Sequence, residues 1–248
     1  MNLTLIEFRP WTPETEECKA PAEDLLYPIL THERLLRIAG DPEAQRMDLA
    51  ACCLRPWYWL VNHCVTLDEH DALQPYKRVP PKPYLREMAD LWWRCGLDFP
   101  ILAMPKSRKV MATWLFGLLF FGECQFRSGR RNAVQSHNLD EASAIIQKMR
   151  GVWSRQASWI RRPATWTATE CRFENDSVFV ALPGGARQLQ GPTLSGYLFD
   201  EVGDHEEARE TYEAAQAAVA GGGRIVMVGR CPRSWWYDVF LTDQVGEA

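Results

Sequence analysis

The chain has 248 residues, enough for one large domain or two small ones around a substantial core. Hydrophobic residues make up 46% and charged residues 24%, an ordinary globular composition. A net charge of -4 excludes a protein that coats polyanions over its whole surface, while leaving room for a local basic face. The N-terminus, MNLTLIEFRPWTPETEE, lacks the basic start and apolar core of a signal peptide, and the apolar run 114–121 is too short to span a bilayer. The eight cysteines form no CxxC pair and no zinc spacing with histidine, so they are read as reduced thiols of a cytosolic protein.

Taken in order, residues 1 to about 40 carry Pro, Glu and scattered apolar positions, as in an arm or small helical cap. From Pro42, "EAQRMDLAACCL" has apolar positions at helical spacing, and Arg55-Pro56 should break that helix. "WYWLVNHCVTLD" resumes an apolar segment; residues 71–83 hold four prolines and read as a connector; "YLREMADLWWRC" is a second helix. After Gly96 the pattern changes. "FPILAM" is a short apolar strand, a polar loop follows, and a helix runs from Met111 to about Phe121. "NAVQSHN" is a strand, and Asn138 suits the N-cap of a helix over "LDEASAIIQKMRGVWSRQASWI". "TATECRFENDSVFVAL" alternates around Asn175-Asp176-Ser177 as a β-hairpin. "SGYLFDE" is a buried strand ending in two acids, "DHEEARETYEAAQAAVAG" a helix, and "RIVMVG" the last clear strand. Strands alternating with helices imply a mostly parallel sheet covered on both faces, with ligands at the carboxyl ends of the strands. Residues 105–113, Asp200-Glu201 and residues 229–232 are expected to converge there.

Two stretches carry chemistry. "LAMPKSRKVMATWL" has the layout of a phosphate-binding loop, whose amides and helix N-terminus cradle a polyphosphate. Aligning Thr113 with the Ser/Thr of GxxxxGK[ST] puts Ala112 in place of the usual lysine, Met111 at the second glycine and Lys106 at the first. On its own the segment is equally a solvated loop. "GYLFDE" places Asp200 and Glu201 at a strand's carboxyl end, where an ATPase needs one carboxylate for the Mg²⁺ shell and one to activate water. Such acids also serve as N-caps of a following helix.

The ordered set "LAMPKSRKVMATWL", "NAVQSHNLDEASAII", "SVFVALPGGARQLQGPTLSGYLFDE" and "GGRIVMVGRCPRSWWY" resembles the ATPase domain of phage terminase large subunits, the motors that pump viral DNA into procapsids. The resemblance implies an α/β P-loop NTPase of the additional-strand type over residues 56–248, preceded by an arm or cap over 1–55. In full terminases a nuclease domain follows, and this chain is expected to carry the ATPase portion without it. The resemblance also implies ATP and Mg²⁺ as cofactors and a place in the host cytoplasm. Its implied partners are double-stranded DNA, the terminase small subunit and the portal protein, with the chain acting in a homo-oligomeric ring.

By the same resemblance, some terminases hold the functional lysine at the first loop position, which Lys106 matches. Pro105, Lys106, Ser107, Arg108, Lys109, Val110, Met111, Ala112 and Thr113 would then wrap the triphosphate, and Tyr84 would lie in the stretch that forms the adenine pocket. Thr113 and Asp200 match the Mg²⁺ ligands and Glu201 the catalytic glutamate. The coupling motif, commonly Ser/Gly-Thr-Pro, reads Gly229-Arg230-Cys231-Pro232 here, so Cys231 stands where a threonine would. The position of the family's trans-acting arginine holds Gln190, and Arg187 is the nearest arginine. Arg127, Arg130 and Arg131 either face DNA phosphates or form a solvated turn. Two other functions fit the same residues: a helicase-like nucleic-acid ATPase, and a non-hydrolysing assembly module with a decayed loop.

Overall fold

The computed structural model describes residues 28–68, 70–107, 110–230 and 235–236. These form two compact units, one of residues 28–87 with 152–161 and one of 88–151 with 162–236. The 55/56 boundary expected from the sequence therefore lies inside the smaller unit. No described helix is long and apolar enough to cross a membrane.

The smaller unit contains α1 (His32–Ala39), α2 (Pro42–Leu54), α3 (Pro56–His63) and a two-stranded antiparallel pair, β1 (Val65–Leu67) with β2 (Tyr76–Arg78). Asp41 caps α2 by accepting from the amides of Glu43 and Ala44, and Pro42 takes the first turn, where its missing N–H costs nothing. Arg55 adopts an extended conformation before Pro56, so the expected break becomes the junction of α2 and α3. The chain passes between units on α4 (Pro83–Arg94).

A polar knot lies inside this unit. The buried Asp48 carboxylate accepts from Tyr58 Oη at 2.6 Å and Trp159 Nε1 at 2.8 Å, and lies 3.1 Å from His63 Nε2. Cys52 also comes within 4.8 Å of Asp48 and His63, but the carboxylate oxygens are already engaged by these donors, so the group reads as a satisfied network. Burial pushes the Asp48 carboxyl up, and the bonds from His63, Tyr58 and Trp159 outweigh it, leaving the group below its usual range. Asp48→Ala is expected to lower stability by about 3–5 kcal/mol, because it strands the buried Tyr58 and His63 and the part-buried Trp159 N–H. A depressed carboxylate stabilises above the unfolded value of ~3.9 and loses that effect as pH falls through its lower folded value. Denaturant titration should show the full deficit at neutral pH, shrinking only in stronger acid; a deficit under about 1 kcal/mol at pH 7 would mean the knot is energetically idle.

The larger unit is built on a seven-stranded sheet of β3 (Ile101–Pro105), β4 (Arg131–Gln135), β5 (Ala164–Trp166), β6 (Glu170–Phe173), β7 (Val178–Leu182), β8 (Gly196–Asp200) and β9 (Arg224–Gly229). Their order is β3-β9-β8-β4-β7-β6-β5; the first five pair in parallel, while β6 pairs antiparallel with both β7 and β5. β9, last in sequence, inserts between β3 and β8 and pairs parallel with both. Its helices are α5 (Ala112–Phe126), α6 (Leu139–Trp153) and α7 (Ala208–Ala218), with α6 running on into the smaller unit's segment.

α5 is apolar all round, as a helix enclosed on every side must be, and Phe116, Leu118, Phe120 and Phe121 are essentially inaccessible. Gly196 opens β8 because any Cβ there would overlap the Phe120 ring. Asn138 caps α6 through the Glu141 amide as expected, but the helix stops at Trp153 and does not reach Ile160. The hairpin around Asp176, whose φ is 65°, pairs β6 with β7, and β5 adds a third strand.

At the amino end of the parallel strands, buried Glu123 meets Arg224 at 3.2 Å, Arg130 at 3.6 Å and Arg127 at 3.7 Å. Arg127 also lies over the Trp93 ring. Two of the three arginines offered to DNA phosphates thus compensate a buried carboxylate; Arg131 is exposed.

Candidate nucleotide site

The carboxyl ends of β3, β9 and β8 meet at one place. Past Pro105 the chain stays on the sheet for one more bond, Lys106 N–H to Gly229 O at 2.9 Å, and then leaves as the loop. Lys106 turns inward and is 11% exposed. Its ammonium donates to Thr113 Oγ1 at 2.7 Å and lies 3.4 Å from Asp200 Oδ1 and 3.2 Å from Glu201 Oε1. Thr113 Oγ1 in turn donates to Asp200 Oδ1 at 2.7 Å. Four residues from two separated stretches therefore share one knot, with a cation at the centre of three acceptor oxygens.

The loop reaches α5 through Met111, whose φ of 57° and ψ of 12° are left-handed. Glycine takes this conformation freely; here a methionine adopts it at some cost in strain. Ala112, at the usual lysine position, is 1% exposed. Of the other loop residues, Ser107 is exposed and Val110 partly buried, while Arg108 and Lys109 lie outside the described residues. Cys231 also lies outside them. Tyr84 is half-buried in the first turn of α4, in the smaller unit.

Asp200 ends β8 and is buried. Burial pushes its carboxyl above the usual range, Lys106 and Thr113 pull it back, and Glu201 adds to the push. Its negative charge thus depends on a cation beside it. Glu201 follows in a left-handed conformation, φ 51°, and heads the 3₁₀ turn Val202–Asp204. Glu201 Oε2 is buried with no hydrogen-bond partner. His205 Nε2 lies 3.1 Å from the Asp200 carbonyl, and since that oxygen can only accept, this nitrogen carries the proton. Burial lowers the His205 pKa and favours the neutral ring.

The sequence reading placed Gly229 and Arg230 among the converging strand ends but did not give two of their contacts. Gly229 lies under the acid turn: a Cβ there would come within 2.8 Å of Val202 N and 3.1 Å of Gly203 N. With its carbonyl bound to Lys106 N–H, Gly229 touches both loop and turn, so the end of β9 links them physically. A glycine closing an apolar strand, as in "RIVMVG", was the available signal. The second is Arg230, whose guanidinium donates to Asp204 Oδ2 at 2.8 Å. Both line a cleft of about 570 Å³ shared with Thr113, Asp200 and Glu201. Arg187 does not line that cleft; it is exposed on the 3₁₀ turn Ala186–Leu189 and makes no side-chain ion pair among the described residues.

No family model and no curated protein matches the chain. Solved structures do. The large terminase of bacteriophage HK97 superposes with a TM-score of 0.63 at 9% identity, over 78% of this chain and 41% of that one. A large terminase from a thermophilic bacteriophage, in complex with ADP, gives 0.43 at 18% identity, over 56% and 36% of the two chains. The Thermus phage P74-26 large terminase ATPase domain gives 0.44 at 14% identity, over 66% and 75%. The chain spans under half the length of the HK97 protein, and a likeness at that identity speaks for the fold. Over 78% of its length, this chain shares the fold of part of a bacteriophage large terminase.

Proposed function

We propose that the chain is a Mg²⁺-dependent ATPase whose hydrolysis drives double-stranded DNA into a viral procapsid. The carrying observation is the convergence of Lys106, Thr113, Asp200 and Glu201 at the strand ends, on a terminase fold. The donors fit Mg²⁺: they are hard oxygens, an ammonium already sits among them, and Glu201 Oε2 is buried without a partner. Thr113 and Asp200 would hold the ion, which supplies neutralisation of the β- and γ-phosphate oxygens.

The remaining work belongs to the chain. The loop amides and the start of α5 receive phosphate oxygens, and Lys106 moves from the carboxylates onto them. Glu201 accepts the proton of the water that attacks the γ-phosphorus as the bond to the ADP oxygen breaks. The portal, the small subunit and a ring of copies are the partners that this reading requires. Met111 argues against a decayed, non-hydrolysing loop, because the loop keeps its left-handed turn even without glycine.

Phosphate release measured with DNA and partner subunits tests the reading. Lys106→Ala is expected to lower turnover on the order of a hundredfold or more, through loss of a charge-assisted bond in a dry site. Lys109→Ala should retain most activity; the reverse pattern places the essential charge at Lys109 and breaks the register. Gly229→Ala should also lower turnover on the order of a hundredfold, because its Cβ displaces backbone, not a movable side chain, at the turn bearing Glu201. Folded Gly229→Ala protein with normal turnover would remove β9 from the linkage.

A further inference from the structure

We propose that His205 is a positioning residue for the general base: its ring holds the peptide between Asp200 and Glu201 and thereby keeps the Glu201 carboxylate on the attacking water. This rests on the ATPase reading proposed above. The 3₁₀ turn Val202–Asp204 folds the chain back onto the strand it has just left. His205 closes that turn, its amide donating to the Val202 carbonyl at 3.4 Å. Its ring meets Phe199 edge to face, with centroids 4.5 Å apart at 76°. Phe199 is fully buried in β8, so the ring packs on a fixed wall. The exposed His137, just past β4, flanks it at 6.2 Å. From that seat Nε2–H reaches the Asp200 carbonyl at 3.1 Å.

The bond matters because of the residue that follows. A peptide unit is planar, so a carbonyl held in place fixes ψ of Asp200 and φ of Glu201 together. The φ of Glu201 is 51°, a left-handed value that a residue with a Cβ keeps only when its surroundings impose it. The next peptide is held from the other side, by the Asp204 amide on the Glu201 carbonyl at 2.9 Å. Both planes that flank Glu201 are therefore pinned, one by backbone and one by the His205 ring. Without the ring's bond the first plane can turn and Glu201 can relax toward negative φ, which moves its carboxylate relative to Thr113 and Asp200. Those two keep their contacts with each other and with Lys106, so nucleotide binding survives while placement of the base is lost.

The test is phosphate release by the whole chain with DNA and partner subunits, beside titration with Mg²⁺ and ADP. His205→Phe keeps a ring against Phe199 but removes the donor. It should lower kcat on the order of ten- to a hundredfold, with ADP affinity within about twofold of wild type. His205→Gln, whose amide nitrogen reaches the place of Nε2, should recover most of the loss. His205→Asn, whose nitrogen stops at the place of Nδ1, should not, and this contrast decides the matter if the Phe variant fails to fold. Unchanged kcat in folded His205→Phe, equal activity of the Gln and Asn variants, or ADP affinity that falls in step with kcat would make the ring a structural brace and overturn the proposal. Nitrogen NMR of the wild-type chain without nucleotide should show His205 protonated at Nε2; the Nδ1 tautomer overturns the role whatever the turnover. Wild type with the expected tautomer but no turnover under any of these conditions overturns the function proposed above, and this role with it.

Discussion

Glu201→Gln is expected to bind Mg²⁺-nucleotide as wild type does and to lose turnover by about 10²- to 10⁴-fold. The amide has the same shape and can hydrogen-bond, but it cannot take a proton from water. Lys106 loses its 3.2 Å ion pair with Glu201 yet keeps Thr113 at 2.7 Å and Asp200 at 3.4 Å, so the loop's anchor survives the change. Asp200→Asn should behave differently. Its carboxylate accepts from Thr113 and faces Lys106, so its removal should weaken Mg²⁺-nucleotide binding before any effect on chemistry. Nucleotide titration beside phosphate release separates the two: equal turnover in wild type and Glu201→Gln would remove Glu201 from the mechanism.

What the sequence made legible follows from burial. Parallel strands covered on both faces read as apolar runs, so "ILAM", "GYLFD" and "RIVMVG" declared themselves. Their order in the sheet did not. β9 slides between β3 and β8 from far along the chain, and nothing local in Arg224–Gly229 encodes that neighbour choice. The β1–β2 pair was hidden because its strands are three residues each, and β2 sits in a proline-rich connector with all three residues exposed.

Helix ends slipped where tertiary bonds won. The apolar spacing continues past Trp153, but Trp159 is claimed by Asp48, and residues 155 and 156 bond back three residues as turns. α7 begins at Ala208 and not at Asp204, because Asp204 holds Arg230 and His205 holds the Asp200 carbonyl. In the site, the proposed loop register rests on aligning Thr113, which sequence alone allowed. Helical periodicity could not show that Met111 would adopt a glycine's conformation or that Arg230 would face Asp204, since both depend on β9 lying next to the loop strand.

On the proposed reading that the chain works in a ring of copies, Arg187→Ala subunits mixed into such rings are expected to poison wild-type neighbours while still binding nucleotide. Phosphoryl transfer develops charge on the γ-phosphate that one subunit's loop and Mg²⁺ only partly meet, and an arginine from a neighbour adds about 10³ to 10⁵ in rate. The position at which the terminase resemblance puts that arginine holds Gln190. Arg187 is on the same connection, between β7 and β8, and the connection is held firmly: Gln135 Nε2 donates to the carbonyls of Pro183 at 2.6 Å and Gly185 at 3.0 Å. On that firm base the Arg187 side chain is exposed, without an ion pair among the described residues, and it is not part of its own subunit's cleft. A long cation presented outward from a rigid loop suits action on another copy. The mixing curve decides the matter. Activity should fall faster than the mutant fraction rises, because each defective arginine silences a site in an intact neighbour. A strictly proportional fall, or an isolated chain that already turns over at the assembled rate, would exclude Arg187 as the shared residue.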